Sequence, residues 1–221
     1  MAGWKYTGPV YSLAEELISS ISHGVGTLLA VAALVVGVVM AAFCSDVWCV
    51  VSMAVYGATL VILYSMSTIY HGLRPNRGKN VLRILDHCSV FLLIAGTYTP
   101  LTLVLLRGTV GWVLFGVVWG AAILGITLNA ISLTKFKVFS MVCYIAMGWV
   151  IVFAFPPLMN AMQTDGIILL LAGGLFYTVG AVLYGVGKKV KYLHAVWHFF
   201  VLAGSILHYF CILFYVVPEP L

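Results

Sequence analysis

The stretch 48–71, WCVVSMAVYGATLVILYSMSTIYH, carries no charged side chain over its 24 residues and closes on a histidine. A helix that crosses a bilayer needs about 20 consecutive, mostly apolar residues. This stretch has that length and lacks the strict two-residue alternation of a membrane strand. Six further stretches read the same way, at 21–43, 84–106, 110–131, 138–159, 166–187 and 193–216. The breaks between them are short and polar: FCSD (43–46), HGLRPNRGKNVLR (71–83), RGT (107–109), SLTKFK (132–137), NAMQTDG (160–166) and GKKVKY (187–192). The spacing predicts an all-α integral membrane protein, a bundle of seven transmembrane helices forming a single domain over 1–221.

Composition agrees. Of 221 residues 63% are hydrophobic and 8% charged, against about 25% charged in a soluble domain. No soluble module longer than a short tail is expected. The opening MAGWKYTGPVYSLAEELISS has neither a basic leader nor an apolar core, so no cleaved signal is expected.

The basic residues predict orientation. Lys5, Arg74, Arg77, Lys79, Arg83, Lys135, Lys137, Lys188, Lys189 and Lys191 fall on one side of the predicted bundle, and Arg107 alone on the other. Positive charge marks the cytoplasmic side, which places the N-terminus in the cytoplasm and the C-terminus outside. That is inverted relative to G-protein-coupled receptors, so no G protein partner is expected. The +5 net charge lies in short loops and reads as topology, which argues against nucleic acid as a partner. Cys44 and Cys49 are close enough to form a disulfide in an oxidising compartment, although packed thiols are the expected state. The sequence has no CxxC, so cysteine-held zinc has no support.

Against this topology five of the six histidines gather near one membrane face. His23 begins helix 1, His71 ends helix 2, His87 begins helix 3, and His194 and His198 lie in the first turns of helix 7. Ionisable groups inside a bilayer are expensive, and such a set is a site by default. His194 and His198 (HAVWH) are spaced i, i+4 and share one helix face, as a pair of imidazoles holding one ion requires. His71 at the same depth completes three ligands and leaves a fourth position open, the pattern of catalytic Zn2+. Copper, iron or nickel would accept the same donors.

Ser67, one turn deeper than His71 on the same face, is placed to bond a ligand, a substrate or its own helix carbonyl. Asp86 in the first turn of helix 3 gains from the helix dipole and would serve as general base or as a hydrogen-bond acceptor behind the ligands. Glu16 and His23, seven apart, share a face if helix 1 starts early, and both are candidates for a supporting shell; Glu15 reads as an acidic cap. His87 should point about 100° away from Asp86 and make a helix–helix or headgroup contact. His208, about 15 Å beyond His198, reads as a buried hydrogen-bonding histidine, and apart from it no second polar cluster is expected to continue the path to the outer face. Pro100 in GTYTP (96–100) should kink helix 3 and free a carbonyl near Gly96. The aromatics read as interfacial belts and packing.

The stretches EELISSISHGVG (15–26), SMSTIYHGL (65–73), LDHCSVFLLIAGTYTP (85–100), YIAMGWV (144–150) and HAVWHFFVLAGSILHY (194–209) resemble the hemolysin III family of bacterial inner-membrane proteins, within the progestin and adiponectin receptor superfamily. The resemblance runs nearly end to end, with one departure: Ser19 stands where the family usually has Asn. It implies a seven-helix bundle with a cytoplasmic N-terminus. It also implies zinc held by the histidine of an SxxxH motif, here His71 with Ser67, and by the two of HxxxH, here His194 and His198, with the helix 3 aspartate at Asp86. The superfamily's alkaline ceramidases imply hydrolysis of a lipid amide; the depth of the histidines, just inside the cytoplasmic interface, would have such a substrate enter sideways from the inner leaflet of the bacterial inner membrane. The bacterial branch implies a part in membrane homeostasis. Three functions follow as expectations: a zinc-dependent lipid amidase, a non-enzymatic membrane sensor with a structural zinc, and a transporter or cytolytic pore.

Overall fold

The computed structural model describes residues 6–43, 46–186 and 190–217. Lys5, Lys188 and Lys189 of the charge count, and Cys44 of the Cys44–Cys49 pair, lie outside the described residues. Among the described residues seven helices are long and apolar enough to cross a membrane, and there is no strand. They are α1 (Leu13–Ala42), α2 (Val47–Gly72), α3 (Arg77–Leu105), α4 (Thr109–Ser132), α5 (Lys137–Ala161), α6 (Thr164–Val186) and α7 (Leu193–Tyr215). Each helix packs on the next from α1 to α4, α6 packs on α7, and α7 returns to α1. Of the seven, α3 is the most enclosed. Large apolar side chains such as Leu28, Val35 and Val39 on α1 stay exposed, as a lipid-facing surface requires.

Two helices begin well before their apolar stretches. Helix 1 was expected from 21 and starts at Leu13, because Ser12 and Glu15 form a reciprocal cap. Helix 3 was expected from 84 and starts at Arg77, because the Asn76 side chain accepts from Lys79 N at 2.8 Å. Hydropathy is blind to both extensions, since capping residues are polar. The extra turns carry Glu16 and Lys79, which the site uses.

Two helices are irregular inside the membrane. Pro100 has no N–H to give, and α3 passes it into one wide π turn at Leu101–Leu105, closed by Leu106 N to Leu101 O at 2.9 Å. Thr102 Oγ1 donates to Tyr98 O at 2.7 Å beside it. Helix α5 tightens to a 3₁₀ turn at Val150–Ala154, ahead of Pro156 and Pro157. There the Tyr98 hydroxyl donates to Gly148 O and accepts from Ile151 N, both at 3.0 Å. Irregular backbone survives at membrane depth only where protein satisfies it, and one α3 tyrosine does so here.

The α1–α2 contact depends on a missing side chain. A Cβ on Gly57 would lie 2.8 Å from the Leu34 Cα, and a backbone atom cannot rotate away. Gly57→Ala should cost about 1–3 kcal/mol through overpacking, read as a lower unfolding temperature in detergent. Gly116→Ala in α4, where a Cβ meets nothing within 4 Å, should not lower it.

Candidate metal centre

Three imidazoles from two helices meet at one end of the bundle. His71 comes from the last turn of α2, and His194 and His198 from the first two turns of α7; all three are buried. His194 Nε2 lies 3.4 Å from His71 Nε2 and 3.3 Å from His198 Nε2. A neutral imidazole owns one N–H, so His194 Nε2 can donate to at most one of these two nitrogens, and the other contact is left between lone pairs. A tetrahedral ion with metal–nitrogen bonds of about 2.0–2.1 Å would hold its ligands about 3.3 Å apart. The donor set thus fits a metal ion such as zinc, and among the described residues these three form the group able to hold one.

Two of the outer nitrogens are answered by protein. His71 Nδ1 donates to Glu16 Oε2 at 2.7 Å, and Glu16 Oε1 receives Lys79 Nζ at 2.6 Å. His198 Nδ1 lies 3.0 Å from His23 Nε2. With the His198 Nε2 lone pair turned to the centre, Nδ1–H donates to His23 Nε2, which also lies 3.3 Å from His198 O, and the His23 proton then sits on Nδ1. That His23 atom is buried and has no partner among the described residues. Partners of this kind fix ring orientation and tautomer behind a metal ligand.

A cavity of about 150 Å³ opens near the cluster, bordered by its neighbours and not by the three clustered histidines themselves. His23, Ser67 and Asp86 line it at the histidine end, and Trp149, Gly174 and His208 line it further along. The Ser67 hydroxyl is buried without a partner among the described residues, so of its alternatives the bond to its own helix carbonyl is not made. The Asp86 carboxylate is not among the converging ligand atoms. It lies 3.4 Å from His87 Nδ1.

A family model described as Haemolysin-III related matches residues 11–209, a span that contains every side chain described above. The chain belongs to this family. It is 41% identical to "Hemolysin-3" of Bacillus cereus over 214 residues, 97% of each chain. It is 39% identical to "Hemolysin-3 homolog" of Bacillus subtilis (strain 168) over 211 residues, 96% of this chain and 99% of the relative. A more distant match is "Monocyte to macrophage differentiation factor" of Homo sapiens, 28% identical over 182 residues, covering 79% of this chain and 74% of the relative.

Within this Haemolysin-III related chain the remaining polar residues take varied positions. Glu15 is a cap, and its Oε1 also accepts from Tyr192 N at 2.7 Å, tying α1 to the start of α7. His87 makes the expected helix–helix contact, accepting from the Tyr184 hydroxyl of α6 at 3.1 Å. Contrary to the expected divergence, it lines the cavity together with Asp86. His208 bonds Leu170 O at 3.0 Å. Ser19, at the departure from the family pattern, is fully buried, and its hydroxyl has no partner among the described residues.

Besides Lys79, the sequence reading missed two features. The Tyr64 and Tyr177 hydroxyls both reach Ser205 Oγ at 2.7 Å, a second polar cluster where none beyond His208 was expected. Its trace in the sequence was Ser205, seven residues after His198 and so on the same face of α7. The other is Tyr11, which stacks on His194 at 4.3 Å. The strap bearing it is held by Tyr6 OH to Tyr70 OH at 3.2 Å and Thr7 N to Asn80 Oδ1 at 3.3 Å. Burial raises the Tyr11 phenol above its ordinary pKa, so it stays neutral against the ring. Tyr11→Ala should increase diethylpyrocarbonate modification of His194 several-fold, measured by peptide mass spectrometry; an unchanged rate would show that the strap does not shield the cluster.

Proposed function

We propose that this protein is a zinc-binding hydrolase of the bacterial inner membrane that cleaves a lipid amide from the cytoplasmic leaflet. The observation that carries the reading is the convergence of the His71, His194 and His198 Nε2 atoms beside a largely apolar cavity, with no fourth protein ligand among the described residues. An open coordination position is the mark of catalytic rather than structural zinc. A zinc ion held there would polarise a carbonyl and bring a water towards deprotonation near neutral pH.

The other groups have distinct tasks. The cavity walls receive an acyl chain, with the amide at the histidine end. Asp86 accepts the proton of the attacking water and returns it to the leaving nitrogen as the C–N bond breaks, which yields a fatty acid and an amine. The unpartnered Ser67 hydroxyl donates to the oxygen on which negative charge develops. The excess of Lys and Arg at the histidine end supports a cytoplasmic placement, with membrane lipid as substrate and neither nucleic acid nor a G protein as partner.

The test begins with metal content per chain in untagged, detergent-purified protein. About one zinc per wild-type chain is expected, with loss in each of His71→Ala, His194→Ala and His198→Ala. Asp86→Asn should retain the metal and lose turnover of a fluorogenic N-acyl amine by about 100-fold or more. Full metal occupancy with no turnover of any lipid amide would assign the ion a bracing role and sink the hydrolase. Absence of bound metal would sink both.

A further inference from the structure

Lys79 occupies a place that ordinary helix chemistry disfavours. It sits in the first turn of α3, where the helix dipole repels a cation, and it is 1% exposed. A buried ammonium is expensive unless it is paired. Its Nζ donates to Glu16 Oε1 at 2.6 Å and to Leu73 O at 2.8 Å, and lies over the Tyr70 ring at 5.2 Å. The second oxygen of the same carboxylate takes the Nδ1 proton of His71 at 2.7 Å. One carboxylate from α1 thus bridges an ammonium from α3 and an imidazole from α2.

We propose that Lys79 is a positioning residue for the metal centre, acting through Glu16 on His71. This rests on the metal reading above. Glu16 is 15% exposed at its side chain, so it has room to swing outward. Lys79 removes that freedom by holding Oε1 from the inner side. With Oε1 anchored, Oε2 stays on the His71 Nδ1 proton. The ring is then held with its Nε2 lone pair facing His194 Nε2 at 3.4 Å. A lysine needed only to pin α1 to α3 would satisfy Glu16 and stop there; here the shared carboxylate carries the constraint on to a ligand.

The test is zinc affinity, measured on the untagged full chain in detergent by competition with a chromophoric chelator. Lys79→Met should weaken zinc binding by about 10–100-fold, the usual effect of losing a partner behind a ligand. Glu16→Ala should do the same, and the double variant should bind no more weakly than Glu16→Ala alone. Lys79→Gln, which keeps a donor without the charge, should lose less than Lys79→Met, and it carries the test if Lys79→Met does not fold. Wild-type affinity in the Lys79 variants, or a double variant that loses the product of the two single effects, would overturn the proposal and leave the metal reading intact. Wild-type protein that binds no zinc would overturn both together.

Discussion

Each ring nitrogen withdrawn from water must be met by a group that complements it, and the histidine end of this bundle is organised around that demand. Two of the three clustered rings have one nitrogen answered by protein: His71 by Glu16, and His198 by His23. The Nε2 atom of His194 faces those of His71 and His198 across 3.3–3.4 Å, a spacing that suits a shared cation better than a full set of hydrogen bonds between neutral imidazoles. The supporting contacts reach α1, α2, α3 and α7, so the site and the closure of the bundle are one construction. Glu15 adds to it by holding Tyr192, the residue just before α7.

The same demand explains where the helices depart from regularity. The π turn after Pro100 and the 3₁₀ turn of α5 both free backbone groups inside the membrane, where water does not supply partners. Tyr98 satisfies two of them and also lines the cavity. Gly148 and Gly174 lie along the same wall. The cavity that runs from the histidine cluster is therefore maintained by hydroxyls that stabilise distorted backbone and by glycines that leave room.

Much of the fold was legible in the residues because hydropathy and length report directly on burial in lipid. Seven apolar stretches became seven helices, and His71, His194 and His198 came together from the shared depth and i, i+4 spacing visible in HAVWH. The starts of α1 and α3 were misplaced by roughly two turns because Ser12, Glu15 and Asn76 stabilise helix ends through side-chain hydrogen bonds, which an apolar-run criterion does not detect. SLAE at 12–15 was a readable capping box. Lys79 read as one more loop cation, since nothing local distinguishes a buried lysine from a solvated one.

What the sequence determined by itself was the architecture and the depth of its histidines: both follow from near-neighbour properties, the length of an apolar run and the periodicity of a helix. The tertiary structure decided which side chains complete the site. The Lys79–Glu16–His71 bridge, the His23–His198 contact, the stacking of Tyr11 on His194 and the Tyr64–Ser205–Tyr177 hydroxyls join residues that lie far apart along the chain. Such pairings depend on how helices rotate and slide against one another. That relation is set by the packing of the whole bundle, and no single stretch of sequence encodes it.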